Sequence, residues 1–431
     1  MILTIDFLYL GIIKMSEIKK YWLILAGMLY LAYVSMMWKW GHQGDMTYWL
    51  TWSNQIYNQG FAKVYESNCN YMPAYLYFLY FHTKIQGNLT DIQDNLYTIK
   101  YYTFVFDMLG AFAAVWFVKD ELKKVFYFLF LLFNVAYIYD TVMWAQVDAI
   151  YTFFGFASLI AAIERKAVIS SLLLLLALNF KLQAVVFIPV VSLLLLPQLI
   201  SKDGIRKIML IIIFAITIQS LILLPFILKG TTNQVFHVIT DSVGHYPYPT
   251  MCAFNMWSLL LPNVSISGME LLSDTTKFGF LSYKQIGFVC FSMTTFVAIL
   301  PLMKFLFAKH VKHENILFPL QNIFLTSALV TLNFYFFNTQ MHERYMHSAV
   351  ILLATYAFLS KRFLPFILCS VAYFLNIERI CWYLNLHNET YMNGFIFNPK
   401  LVAVMYIILI SILFYYLYSD QKIKEEYMVE I

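Results

Sequence analysis

Charged residues are scarce in this sequence. Asp, Glu, Lys and Arg make up 12% of 431 residues, where soluble domains run near ~25%. That shortage excludes an ordinary soluble domain, which needs a charged coat. Cysteine is sparse too. Cys69, Cys252, Cys290, Cys369 and Cys381 form no CxxC pair and no metal-ligand spacing, which argues against a redox motif and a zinc site. No internal repeat, Gly/Ser linker or low-complexity tract is present, and the 15 Gly fall largely outside the centres of the oily runs. The net charge of +5 comes from Lys and Arg spread over short loops, which is no signature of nucleic-acid binding. A cleavable signal is not expected either. The first oily run, 21–40, is too long for a signal core and lacks a small-residue cleavage site. Met15 followed by Ser-Glu-Ile-Lys-Lys reads as an ordinary cytoplasmic start, with residues 1–14 as an upstream extension.

What is abundant is apolar sequence. Hydrophobic residues make up 61% of the chain, and the mean hydropathy is +0.68. Apolar runs of about 18 residues or more recur throughout, the signature of membrane-spanning helices. The 40 Phe and 32 Tyr suit densely packed helices that end in interfacial rings. Twelve spans are expected, at about 21–40, 96–118, 124–139, 149–163, 167–180, 183–200, 207–228, 281–306, 315–336, 346–360, 363–381 and 400–418. The basic clusters KDELKK, ERK, SKDGIRK, KHVKHE, SKR and DQKIKEE then fall on one side, which the positive-inside rule makes cytoplasmic. The opposite side receives 41–95, 140–148, 229–280, 337–345 and 382–399. Within the first of these, YMPAYLYFLYF is apolar but short and opens near Pro73, so it reads as a re-entrant or surface-lying helix.

Three distant segments bring polar side chains to that opposite face. Asp45, after the first span, caps a helix or serves as a general base that accepts a proton from an attacking hydroxyl. Asp140 and Asp148 flank a stretch holding Trp144 and Gln146. They either cap helix ends or join a grouping that binds sugar hydroxyls while the indole stacks on a sugar face. Lys181, between two oily runs, either snorkels or presents an ammonium to a lipid phosphate. Asp107 lies in mid-span, where an ionisable group costs roughly 2.5–3.5 kcal/mol, and reads as a structural polar contact. The run His342-Glu343-Arg344-Tyr345 joins a guanidinium fork suited to phosphate with a second donor in His342. Glu343 orients Arg344 or keeps the His charged; a plain interfacial salt bridge is the competing account. His347 follows Glu343 by four, so the zinc-protease order is absent.

In series, Asp45, Tyr-Met-Pro-Ala-Tyr, Trp144-Ala145-Gln146-Val147-Asp148, Asn-Phe-Lys-Leu-Gln and Met-His-Glu-Arg-Tyr resemble the GT-C superfamily of polyprenyl-phosphate-sugar-dependent glycosyltransferases. The nearest likeness is to the bacterial group related to the GPI-anchor mannosyltransferases, kin of the dolichyl-phosphate-glucose glucosyltransferases. The resemblance spans residues 40–350. It departs at Ala145, where the family usually has Gly, and at Met72-Pro73, where it has two Pro. It implies one all-α domain over 1–431: a polytopic integral membrane protein, a GT-C-like bundle of about twelve transmembrane helices. Its first outer loop, 41–95, would be structured and its second, 229–280, large.

The implied activity is inverting transfer of a mannose- or glucose-type hexose from a polyprenyl-phosphate-linked donor. The acceptor would be a hydroxyl of a glycan, a lipid-linked glycan or a cell-surface polymer. Asp45 would be the base, and His342, Arg344 and Lys181 would hold the donor phosphate. Trp144, Gln146, Asp148, Asp140, Glu343 and Tyr345 would line the sugar and acceptor site. No cofactor is required by the sequence; Asp140 and Asp148 offer oxygen ligands, so a divalent metal stays open. The expected setting is a bacterial plasma membrane with the site facing outward. The sequons at Asn88, Asn263 and Asn388, all on that face, keep an ER membrane in play. The alternatives are a lipid-linked glycan flippase and a polysaccharide polymerase or ligase of the Wzy type. Absent repeats and one-sided ionisable residues count against a carrier, and the Asp45 loop against a polymerase.

Overall fold

Local caps start some of the helices: Asp120, Ser282 and Asn398 each accept a backbone N–H from the first turn that follows. The computed structural model describes residues 15–241, 244, 246–261, 272–386, 395–419 and 428–429. The expected extension 1–14, the basic run 420–426 and the sequons at Asn263 and Asn388 lie outside these residues. The principal helices are α1 (Met15–Met36), α2 (Gln43–Gln59), α3 (Pro73–Gln86), α4 (Ile99–Ala114), α5 (Glu121–Leu132), α6 (Asp148–Ile163), α7 (Ala167–Phe180), α8 (Ile188–Leu199), α9 (Gly204–Lys229), α10 (Thr232–Asp241), α11 (Tyr283–His310), α12 (Leu320–Phe337), α13 (His347–Ser360), α14 (Leu364–Cys381) and α15 (Pro399–Tyr418). Among the described residues strand is confined to two-residue pairs, Lys277–Phe278 with Leu281–Ser282 and Phe318–Pro319 with Met428–Val429.

The chain is therefore all-α and of membrane type, but it does not carry twelve helices of spanning length. Six described helices are long and apolar enough to cross a bilayer: Leu182–Leu199, α9, α11, α12, α14 and α15. A seventh forms if α5 and Val135–Trp144, bent by 56°, count as one. The reason is length. Helices α4, α5, α6, α7 and α13 have 16, 12, 16, 14 and 14 residues. At about 1.5 Å per residue they fall short of a hydrocarbon core of about 30 Å. The bend after α5 has a local cause. Asn134 caps the next helix by accepting from the Tyr137 N–H at 3.0 Å, and its amide donates to Ser370 Oγ at 3.2 Å.

Helices α12 and α13 form the centre and are buried almost all round. Around them pack α4, α6, α14 and α15. Gly155 in α6 leaves room for the Phe187 ring, which any side chain there would strike. By contrast α9 touches the bundle along one side, through Gln219 and Phe226, and leaves Ile212, Phe214, Leu221 and Leu228 exposed, as a lipid-facing helix would.

The first outer loop is structured. Helices α2 and α3 pack through Trp49, Trp52, Tyr71 and Tyr75, whose rings lie 4.8–5.6 Å apart in edge and tilted contacts. Helix α3 starts at Pro73, whose fixed φ suits a first turn. Its Tyr77 hydroxyl donates to Ile222 O of α9 at 2.9 Å. The second outer loop is tied down over the same end of the bundle. Asp274 Oδ2 accepts from Thr339 Oγ1 at 2.8 Å and Gln340 Nε2 at 2.7 Å, and Met251 N donates to Met341 O at 2.9 Å.

Candidate functional site

The chain leaves α1, turns at Gly41 and enters α2 with His42 and Asp45 in its first turn. His42 N donates to Trp144 O at 2.9 Å, which pins this entry to the turn ahead of α6. Trp144 Nε1 in return donates to Asp45 Oδ2 at 2.6 Å, and His42 Nδ1 sits 3.1 Å from the same oxygen. The His42 ring stacks on Trp144 with centroids 4.7 Å apart. Among the described residues nothing hydrogen-bonds Asp45 Oδ1.

Residues 140–144 form a wide turn that closes at Ala145, whose φ of 72° and ψ of 31° are left-handed. That conformation costs an L-residue about 1–2 kcal/mol and costs Gly little. It is the physical reason a Gly suits this place, and it shows that Ala145 accepts the same backbone under strain. The turn aims Asp148 toward Lys181, whose Nζ donates to Asp148 Oδ1 at 2.9 Å and Oδ2 at 2.8 Å. An ammonium has three donors, so one remains. Lys181 Nζ also lies 5.8 Å from the Tyr71 ring centre and 5.5 Å from that of Tyr345.

The segment before α13 supplies the second cation. Arg344 Nη1 donates to Glu343 Oε1 at 2.7 Å, and its Nε is 4.0 Å from Asp148 Oδ2, too far for a hydrogen bond. Its guanidinium carbon lies 5.8 Å from the Trp144 ring centre and 6.0 Å from Tyr345. Trp144 thus serves as a plank shared by Asp45, His42 and Arg344. His342 Nδ1 is 3.8 Å from Glu343 Oε2, and its ring meets the edges of Tyr246 and Tyr345 at 5.4 and 5.3 Å.

These groups meet in a cavity of about 1070 Å³. Asp45, Lys181, His342, Arg344 and Tyr345 line it, and Phe180, Leu182, Val185, Phe288 and Phe334 give it an apolar flank. The structure thus gathers five of the expected site residues onto one wall. Trp144, Asp148 and Glu343 stand behind that wall, each almost wholly buried, and brace the groups that line it. Gln146 is buried as well and accepts from the Tyr71 hydroxyl at 3.1 Å. None of these four lines the cavity: Trp144, Asp148, Glu343 and the Gln146 carbonyl engage Asp45, Lys181, Arg344 and Tyr71, while Gln146 Nε2 has no hydrogen-bond partner among the described residues. Asp140 is fully buried away from the cavity, and its carboxylate has no hydrogen-bond partner among the described residues. Asp107 lies in α4 with its Oδ1 3.9 Å from His347 Nε2.

The electrostatics follow from this packing. Burial raises the Asp45 carboxyl. The Arg344 charge and the contacts from His42 and Trp144 outweigh it and hold the group well below the usual carboxylate range. Glu343 is likewise pushed up by burial but held down to about 2, chiefly by Arg344. Burial, and after it the Arg344 charge, keep His342 below its ordinary value, against the pull of Glu343. Both carboxylates are charged and His342 is neutral at pH 7. No group of three or more His, Cys, Asp or Glu among the described residues is placed to hold a metal ion.

Sequence reasoning missed His42, Tyr246, Asn68, Gln183, His237 and Lys284, of which all but His42 line the cavity. His42 carried a signal, three places before Asp45 in a first turn. The others come from separate elements, Asn68 and Tyr246 from loops, Gln183 from Leu182–Leu199, His237 from α10 and Lys284 from the first turn of α11, and no spacing connects them. Replacing Trp144 by Phe keeps the plank but deletes the donor to Asp45. The loss expected is about 1.5–3 kcal/mol, the range for a hydrogen bond to a charged group. It would be read as a lower unfolding midpoint in detergent; an unchanged midpoint would remove Trp144 Nε1 from this account.

A scan against protein-family profiles and a search of curated proteins both find no match for this chain.

Proposed function

We propose that this chain is a membrane glycosyltransferase. It moves a mannose- or glucose-type hexose, with inversion, from a polyprenyl-phosphate-linked donor to a hydroxyl of a glycan, lipid-linked or cell-surface acceptor. The observation that carries this reading is the cavity wall on which an ionised Asp45 stands together with Arg344 and Lys181, beside an apolar flank. A donor of this class has the matching parts: a phosphodiester for the two cations, a prenyl chain for the apolar flank, and an anomeric carbon between phosphate and acceptor. Asp45 removes the acceptor proton as the hydroxyl oxygen attacks, and the bond from that carbon to the phosphate oxygen breaks. Arg344 and Lys181, each with a free donor and each braced by a carboxylate behind it, take up the charge that builds on the leaving phosphate. The volume lies at the top of the ~300–1,000 Å³ usual for small-ligand sites, which suits a headgroup and an acceptor together.

The one-sided basic loops favour a cavity on the outward face, which in a bacterium is the plasma-membrane exterior. Purified protein in sealed vesicles, offered labelled polyprenyl-phosphate hexoses one at a time with an acceptor lipid extract, tests both points. Transfer is expected for one hexose, and only with acceptor on the face opposite the basic loops. Failure to bind or consume any of these donors sinks the reading; transfer on the basic-loop face inverts the orientation.

A further inference from the structure

Formal charge in the cavity does not favour an anion as it stands. Three carboxylates, Asp45, Asp148 and Glu343, surround two basic side chains, Lys181 and Arg344. Every one of these five is at most 16% exposed, so solvent screens the imbalance poorly. A phosphodiester entering such a wall adds a second uncompensated negative charge. Lys284 and Asp241 also line the cavity and cancel in formal charge, so another positive charge has to come in with the phosphodiester.

Three imidazoles lie at or beside the cavity; His237, in α10, lines it but makes no ion pair or hydrogen bond with any of these five groups among the described residues, which leaves His42 and His342. His42 is pressed against Asp45 Oδ2 and Trp144 and does not line the cavity. A proton there would form an ion pair with the base and hold it from its task. His342 does line the cavity and is 15% exposed. The groups that face it are Glu343, Arg344 and Tyr345 on its own segment. Tyr246 and Cys252 face it from the second outer loop, and Lys181 from the start of Leu182–Leu199. Two of these are cations, and they oppose a charge on the ring while the cavity is empty. A bound phosphodiester engages both, and its own negative charge lies next to the ring, so the balance around His342 reverses.

We infer that a phosphodiester bound in this cavity is accompanied by protonation of His342, so that donor binding takes up a proton from solution. The inference rests on the donor reading above and adds its regulation: affinity for the anionic headgroup rises as pH falls. The sign follows from linkage. The empty site holds His342 neutral at pH 7 and the occupied site holds it charged, so the complex binds the extra proton and is favoured by acid. Once in place, the imidazolium donates to a phosphate oxygen on the side Arg344 leaves open.

The test is titration calorimetry of the full-length protein in nanodiscs with a polyprenyl phosphodiester bearing a hexose. That probe has no phosphate oxygen titrating near neutrality. Runs near pH 7 in two buffers of different ionisation enthalpy should report uptake of about one proton, with affinity falling up to ~tenfold per pH unit above that window. His342→Gln should reduce the uptake to near zero and flatten the pH dependence, whereas His42→Gln should keep both. Uptake that persists in His342→Gln, or binding by the wild type without uptake, overturns the inference and leaves the donor reading standing. No binding at any pH overturns the donor reading and the inference with it. The pH series on the wild type reads the same linkage without any variant. Inorganic phosphate in a parallel arm separates the sources. Uptake with the lipid diester alone assigns the headgroup; His342-dependent uptake with both assigns the anion itself.

Discussion

Asp45→Asn should lower hexose transfer by ~10²–10⁴-fold, the usual worth of a positioned base, without weakening donor binding, since the change takes a negative charge out of the wall. Asn keeps the size of the side chain and an oxygen for Trp144 Nε1, so the plank that carries Arg344 and His42 stays in place. What disappears is the proton acceptor. The empty site makes Asp45 a weak base, because the Arg344 charge and the contacts from Trp144 and His42 stabilise its ionised form. A donor phosphate that draws on Arg344 relaxes that hold, and basicity returns only when a donor is present. The pH profile should record this. The acidic limb of kcat, which belongs to the occupied site, should lie at higher pH than that of kcat/KM, which belongs to the free protein. Steady-state rates with saturating acceptor and isothermal donor binding decide the matter. A wild-type rate in Asp45→Asn would make Asp45 a helix-entry residue alone.

The residues of this site were legible one at a time, while their pairings were not. Asp45 could be picked out as an acid after the first apolar run. Nothing in its neighbourhood shows that its partner is Trp144, 99 positions on. Lys181 looked equally able to snorkel or to meet a phosphate, and its bond to Asp148, 33 positions back, is set by how α6 and α7 pack. The Trp-x-Gln-x-Asp stretch suggested sugar contacts because Trp, Gln and Asp are the side chains that bind sugars. The same chemistry serves to brace a wall, and burial, which the sequence does not print, decides between the two. The fold shows the same division. Apolar runs marked where α9 and α11 to α15 lie within a few residues, and left α10 inside an expected outer loop. Composition cannot tell a helix of 14 residues that stays inside the bundle from one that crosses a bilayer. That is why about twelve spans were expected and six or seven helices reach the length. The break at Asn134 was hidden for a related reason: Asn caps a helix only if the chain bends there, and its partner Ser370 is supplied by α14.

Arg344→Ala should weaken donor binding and slow transfer together. Charge-assisted hydrogen bonds are worth about 1.5–3 kcal/mol, so losing one lowers affinity roughly ten- to a hundredfold. A second consequence opposes the first. Removing Arg344 lets the Asp45 carboxyl rise toward its ordinary value, which makes it a better base. Only part of a gain in basicity appears in a rate, and the lost contact acts on both the bound donor and the leaving phosphate, so the net change is a loss. Arg344→Lys should recover part of it. An ammonium restores the charge but cannot reach Glu343 and a phosphate with the planar fork that gives Arg344 one donor for each. A purely architectural Arg344–Glu343 pair makes a different forecast. Glu343→Ala and Arg344→Ala would then lower stability alike, since either change strands a buried charge or its partner, and the folded fraction would bind donor normally. Donor affinity measured on monodisperse Arg344→Ala separates the cases, with Glu343→Gln as the control that removes the brace and keeps the cation. If well-folded Arg344→Ala binds donor as tightly as wild type, Arg344 is part of the scaffold, and Lys181 is left as the basic group that meets the phosphate.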